Sequence, residues 1–166
     1  MKKVEFLPIM TKIEMPNGLQ WHNEKLYVID QKTDNIFILD EKGQIIDEFS
    51  TLCENGSGIT IGDNCIWLGS NGKTEARPFR GSDTHISWIL KLDIKSKQLI
   101  SRFPTPDRGG VHGLEWDKGM LWITAFNPTA LILVDPNNFE VKFKFEIDQS
   151  PHGLAIDGEG IWCSEI

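Results

Sequence analysis

Short apolar runs alternate with polar turns along this chain, and they recur in a fixed order. Each unit opens on a polar residue, a Gly and an apolar residue: Asn17-Gly18-Leu19, Ser57-Gly58-Ile59, His112-Gly113-Leu114 and His152-Gly153-Leu154. A second run follows a polar turn, as Leu26–Asp30, Ile66–Gly69, Leu121–Thr124 and Ile161–Glu165. The third runs are Ile36–Asp40, Ile89–Asp93 and Leu131–Asp135. Each ends in an Asp, whose carboxylate can bond the backbone two residues on and help the chain reverse. The fourth runs, Gln44–Phe49, Gln98–Phe103 and Phe139–Glu146, are more polar. Within the last, Val141-Lys142-Phe143-Lys144-Phe145 alternates strictly, as a half-exposed strand should. Short runs bounded by Gly, Asn and Asp turns read as strands. No stretch has a period near 3.6, so essentially no helix is expected.

Spacing turns these runs into an architecture. Gly18 to Gly58 is 40 residues, Gly58 to Gly113 is 55 and Gly113 to Gly153 is 40. The distance from the Gly to the third-run Asp is 22 residues in the first and third units and 35 in the second. The middle unit therefore carries an insertion, Asn71–Ser87. Units of about 40 residues with four strands, apolar inside and polar outside, are the blades of an all-β propeller. A plain sandwich would not require these spacings to repeat. The blades fall at 16–53, 54–108 and 109–148, with a half blade at 149–166. Residues 1–15, with the apolar stretch Val4–Ile9, are the candidate outer strand of a closing blade. Closed rings have about 4–8 blades. Three and a half blades are therefore expected to be a piece of a longer chain, or an arc that self-associates through its open edges.

Composition narrows the partners. The net charge of −7 argues against nucleic acid and anionic membranes, because phosphate binding needs a basic face. A cation or a small-molecule ligand fits better. Six tryptophans are many for 166 residues; most fall at repeat positions and are expected in the core. Cys53, Cys65 and Cys163 lack the Cys-x-x-Cys spacing of a metal site and form an odd set. A reducing compartment, hence the cytoplasm, is the expectation. The first residues are broken by Glu5 and Pro8 and do not read as a signal peptide. No run approaches the ~18 apolar residues of a membrane span.

The repeat also points to chemistry. In a propeller blade the first strand starts, and the second ends, at the same face. The residue before each Gly should thus line one mouth of the channel, together with the residue ending each second strand. This gathers Asn17, Ser57, His112 and His152 with Asp30 and Glu165. Such N and O donors can hold a divalent metal or arrange acid–base groups. His112 and His152 place a group that titrates near neutral pH at the same position of successive blades. The insertion is expected at the same face, where Lys73, Arg77 and Arg80 would suit a carboxylate-bearing substrate. The chain contains no phosphate-binding Gly loop, nucleophile elbow or His-Glu-x-x-His.

Two phrases resemble branches of the calcium-dependent-phosphotriesterase-like propellers. Pro16-Asn17-Gly18-Leu19-Gln20-Trp21 with Leu26–Asp30 resembles the gluconolactonase/senescence-marker-protein family. That resemblance implies Asn17 as a metal ligand. Ser150-Pro151-His152-Gly153-Leu154-Ala155 with Gly160-Ile161-Trp162-Cys163-Ser164-Glu165 resembles the virginiamycin B lyase family. It implies magnesium used with His152 and Glu165, and with His112 as a further candidate, to open a cyclic ester by elimination. Together they imply a metal-assisted hydrolase or lyase acting on a lactone or cyclic ester, with Mg²⁺ or Ca²⁺ held by Asn17, His152 and Glu165. The alternative is a non-enzymatic propeller that senses a ligand or binds a protein, with the insertion as its contact.

Overall fold

The computed structural model describes residues 11–165 and contains fourteen β-strands and no helix among them. The first blade comprises β1 (Pro16–His22), β2 (Lys25–Asp30), β3 (Asn35–Leu39) and β4 (Ile45–Ser50). The second comprises β5 (Gly56–Gly62), β6 (Cys65–Ser70), β7 (Trp88–Asp93) and β8 (Leu99–Pro104). The third comprises β9 (Leu114–Asp117), β10 (Met120–Phe126), β11 (Thr129–Val134) and β12 (Val141–Glu146). Two strands, β13 (Pro151–Ile156) and β14 (Ile161–Glu165), form the half blade. Each full blade is an antiparallel meander, paired in sequence order. The architecture is thus the incomplete all-β propeller that the spacing predicts. The suggested closing strand at Val4–Ile9 lies outside the described residues.

Local chemistry accounts for the meanders. Asp40 Oδ1 accepts from the amides of Lys42 and Gln44, and Asp93 Oδ1 from those of Lys95 and Ser96. Asp135 Oδ1 accepts from Asn137 N. These bonds build the turn from third to fourth strand three times, as Asp side chains do. The turn from β1 to β2 puts Asn23 and Glu24 at φ 48° and 61°, the left-handed pair that suits a two-residue hairpin.

The core lies between the sheets. Ile29, Ile36, Ile66 and Leu68 are fully buried between the first two blades. Trp67, Ile123, Leu121 and Val134 fill the space between the second and third. Burying each such side chain stabilises the fold by roughly 1.5–3 kcal/mol. Trp67 stacks on Trp116 with centroids 5.8 Å apart. Gly62 permits this contact, because a Cβ there would run into the Trp116 indole. The outer strand β12 is exposed throughout, as its polar alternation implies. The tryptophans divide by position: Trp67 is buried, but Trp21 and Trp162 are 52% and 66% exposed. They sit on the two outward blade faces, where no sheet packs among the described residues.

Candidate functional site

The pairing breaks where the polar residue meets the Gly. The β1–β2, β5–β6 and β13–β14 registers shift between Pro16 and Gly18, Gly56 and Ile59, and Pro151 and Leu154. In the third blade the ladder starts after Gly113. Asn17, Ser57, His112 and His152 therefore lie where the strands leave the ladder. Hydroxyls take over the missing bonds. Thr124 Oγ1 accepts from His112 N and Gly113 N at 3.1 and 2.8 Å, and Ser164 Oγ accepts from Gly153 N at 2.8 Å.

The Gly is needed for a second reason. A Cβ on Gly18 would collide with the carbonyl oxygen of Ser57, and one on Gly58 with that of His112. One on Gly113 would stand 2.5 Å from the carbonyl oxygen of His152. Each blade thus lays its Gly on the backbone of the next polar residue. Only a residue without a side chain lets the blades close this tightly.

Together these devices gather Asn17, Ser57, His112 and His152 around one cleft of ≈ 280 Å³. The imidazoles of His112 and His152 face each other with centroids 4.3 Å apart and planes tilted by 32°. Phe126 meets His112 edge-on at 5.2 Å. His112 Nδ1 is buried and has no hydrogen-bond partner in the protein. Burial, with the second imidazole alongside, pushes the His112 pKa down to about 4, so the ring is neutral near pH 7. Ser57 Oγ donates to Val111 O, and Val111 N donates to Asn71 Oδ1 at 2.7 Å. The residue before His112 is thus pinned from both sides. Asn17 Nδ2 donates to Gln31 Oε1 at 2.8 Å.

Other sequence candidates sit elsewhere. Asp30 is fully buried, and its carboxylate accepts from the amides of Glu14, Met15, Lys32 and Thr33. It ties the loop after β2 to the segment before β1. Glu165 is exposed opposite Pro151 and does not line the cleft; Ser164, one residue earlier, does. The insertion is anchored by charge. Asp34 accepts from Arg77 Nε at 2.9 Å, Arg80 Nη1 at 3.0 Å and Gly56 N at 2.9 Å. Asp83 takes both terminal nitrogens of Arg77, at 2.7 and 3.0 Å. Glu54 accepts from Thr84 N, Thr84 Oγ1 and His85 N. Arg77 is buried in this network, and Arg80 also reaches the carbonyls of Lys32 and Thr33. Lys73 is exposed and makes no ion pair among the described residues. None of the three basic residues lines the cleft.

The sequence reading missed Thr124, Ser164 and Phe126. Thr124 and Ser164 each lie 11 residues after the repeat Gly, so the repeat alignment contained their signal. Phe126 had none, because its contact with His112 depends on how the β10 end curls over the cleft. Glu115 on β9 was also overlooked. Burial beside Asp117 raises its pKa to about 7, but it stands outside the cleft lining.

No family model matches the chain, and no curated protein is significantly similar to it. Solved structures do resemble it. A streptogramin B lyase superposes with a TM-score of 0.67 at 17% identity, covering 95% of this chain and 50% of the lyase. The glutaminyl cyclase of Myxococcus xanthus gives 0.69 at 14% identity, covering 90% of this chain and 67% of the cyclase. The computationally designed Ika4 protein gives 0.63 at 10% identity, covering 99% and 93%. At these identities the likeness speaks for the fold alone. It agrees with the strand order on the class: an incomplete propeller of four-stranded blades. The chain spans half the length of the lyase.

Proposed function

We propose that the cleft opens a lactone or another cyclic ester, as a hydrolase or a lyase. The observation that carries this reading is the facing pair His112 and His152 beside Asn17 and Ser57. Both reactions need a proton moved. In hydrolysis it leaves the attacking water; in elimination it leaves the carbon beside the ester. In either case the departing oxygen takes up a proton. His152 is the group assigned to that transfer. His112, held neutral with an unpartnered Nδ1, hydrogen-bonds and orients the substrate. Ser57 is not the nucleophile, since its hydroxyl donates to Val111 O. The phrase Pro151-His152-Gly153 and the likeness in shape to a lyase support the same class.

The implied Mg²⁺ or Ca²⁺ is a separate matter. Both ions prefer oxygen ligands, carboxylates above all. The cleft offers two imidazoles, hydroxyls and an amide, and Glu165 is not in its lining. No three His, Cys, Asp or Glu side chains cluster for a metal among the described residues. These residues do not by themselves fit a hard cation, and no step is routed through one. A ligand-binding role without turnover is the second reading. The lack of a cleft carboxylate favours it, because neutral imidazoles and hydroxyls suffice to hold a small polar ligand.

A panel of lactones and cyclic esters, assayed with and without Mg²⁺ and Ca²⁺, tests the proposal. Turnover should fall by at least about 10²-fold in His152→Ala, the usual size of a lost proton-transfer group. His112→Ala should mainly raise KM. Binding of such a ligand without turnover would leave the second reading. Turnover unchanged in both variants would sink the first.

A further inference from the structure

The two outward blade faces are complementary to each other, residue by residue. Three Gly residues lie on the carbonyl of the next polar residue: Gly18 on Ser57, Gly58 on His112 and Gly113 on His152. At the fourth of the series, Gly153, a Cβ would meet only Ser164 Oγ of its own blade, at 3.0 Å. Conversely, the carbonyl of Asn17 opens the series, and none of the three preceding Gly contacts falls on it. The same mismatch holds for the side chains. Trp67, second-strand residue of the second blade, stacks on Trp116, first-strand residue of the third. Their counterparts at the outward faces are Trp162, paired with Ala155 as Trp67 is with Thr60, and Trp21, three residues after Gly18 as Trp116 is after Gly113. Both are exposed, and so is Leu19, whose counterpart Leu114 is buried against Gly58.

We infer that a second copy of this chain covers these faces. The β13–β14 half blade of one copy packs on the inner half of the other copy's first blade, and the reverse contact closes the ring. Trp162 of each copy then stacks on Trp21 of the other, and the Asn17 carbonyl seats on Gly153. Several features select a second copy over an unrelated partner. The two faces are unlike each other, so each finds its complement only on another propeller edge of this sequence pattern. The outer half of the first-blade face is already closed: Val28, Phe37 and Leu39 are buried there with Ile13 and Ile45 packed on them. What stays open, Leu19 and Trp21, is the width of a two-stranded half blade. The chain also covers half of the superposed lyase, so two copies amount to one such ring in length. A contact between unlike faces gives a closed ring when the rotation closes, and otherwise an open series. Closure sets the channel mouth of one copy beside that of the other, bringing His152 of one next to Asn17 of its partner.

Sedimentation equilibrium of the 166-residue chain tests this, run from about 1 μM to about 1 mM, the span of moderate affinities. The expected result is a species of twice the 18.8 kDa chain mass. Trp21→Glu and Trp162→Glu lie on exposed positions and should leave the circular dichroism spectrum and melting curve of the single chain unchanged while abolishing the dimer. Ile100→Glu, on the exposed outer strand of the second blade, should leave the dimer intact. Mixing the two Trp variants should restore association above either alone, because one of the two seams is then wild type. A single-chain mass at every concentration would assign the faces to another occupant and overturn the inference. So would dimers that survive both substitutions, or a ladder of ever larger species.

Discussion

At the scale of single residues, the repeat Gly and the cleft histidines do separate work. The Gly sets the distance between blades. Gly58→Ala puts a methyl into the carbonyl of His112, a backbone group that cannot swing away. Overpacking of this kind costs roughly 1–3 kcal/mol or more, and urea denaturation should show a loss of at least that size. Gly160→Ala, where a Cβ meets nothing, is the control and should change little. His112 links the cleft to pH. Its folded pKa, about 4, lies below the ordinary value of 6.5. Between those values the unfolded chain binds a proton that the folded chain refuses. Stability is therefore lost as pH falls from about 6.5 towards 4 and is fully present above that window. His112→Gln should flatten this part of the stability–pH curve, and a curve of unchanged slope would refute the assignment.

Among the elements, the insertion between β6 and β7 behaves as a strut. Its length and its basic residues suggest a mobile substrate loop, and the sequence offers no sign to the contrary. The structure spends Arg77 on Asp34 and Asp83 and part of Arg80 on Asp34. Asp34 is itself almost wholly buried, and burial raises its pKa in spite of the two guanidiniums. Removing one partner of a buried pair costs about 3–5 kcal/mol, because the other charge is left unpaired. Asp34→Ala should therefore destabilise the chain by that amount in urea, and Arg77→Met combined with it should recover part of the loss. Full additivity of the two changes would show that the pair does not act as a unit. The insertion also reaches the cleft at its root, since Asn71 holds Val111 next to His112. Its role in the site is thus to position a strand, and its cations face the scaffold.

For the whole molecule, the same blade-to-blade contact is used twice inside the chain and offered once more at its outward faces. The strand order, the blade count and the insertion were all legible from one periodic phrase, because a blade must bury the same two faces wherever it stands. The polar residues before the Gly were legible too, as a set, since symmetry puts equivalent positions on one ring. Individual roles were not. Asp30 and Glu165 occupy equivalent positions, yet Asp30 is locked into four backbone amides and Glu165 is exposed. Trp67, Trp122 and Trp162 likewise share a position and differ in burial according to what stands beside them.

What the sequence by itself determined is therefore everything that follows from repetition: an all-β propeller, its blade boundaries, and the convergence of Asn17, Ser57, His112 and His152. Only the tertiary structure decided which of the convergent groups are free to act. Hydrogen-bond saturation, burial and the facing of His112 on His152 depend on neighbours brought together from distant blades. No local pattern encodes whether a carboxylate's lone pairs are already taken, and that is why Arg77, Asp30 and Ser57 turned out to hold the scaffold while an unpartnered imidazole nitrogen marks the cleft.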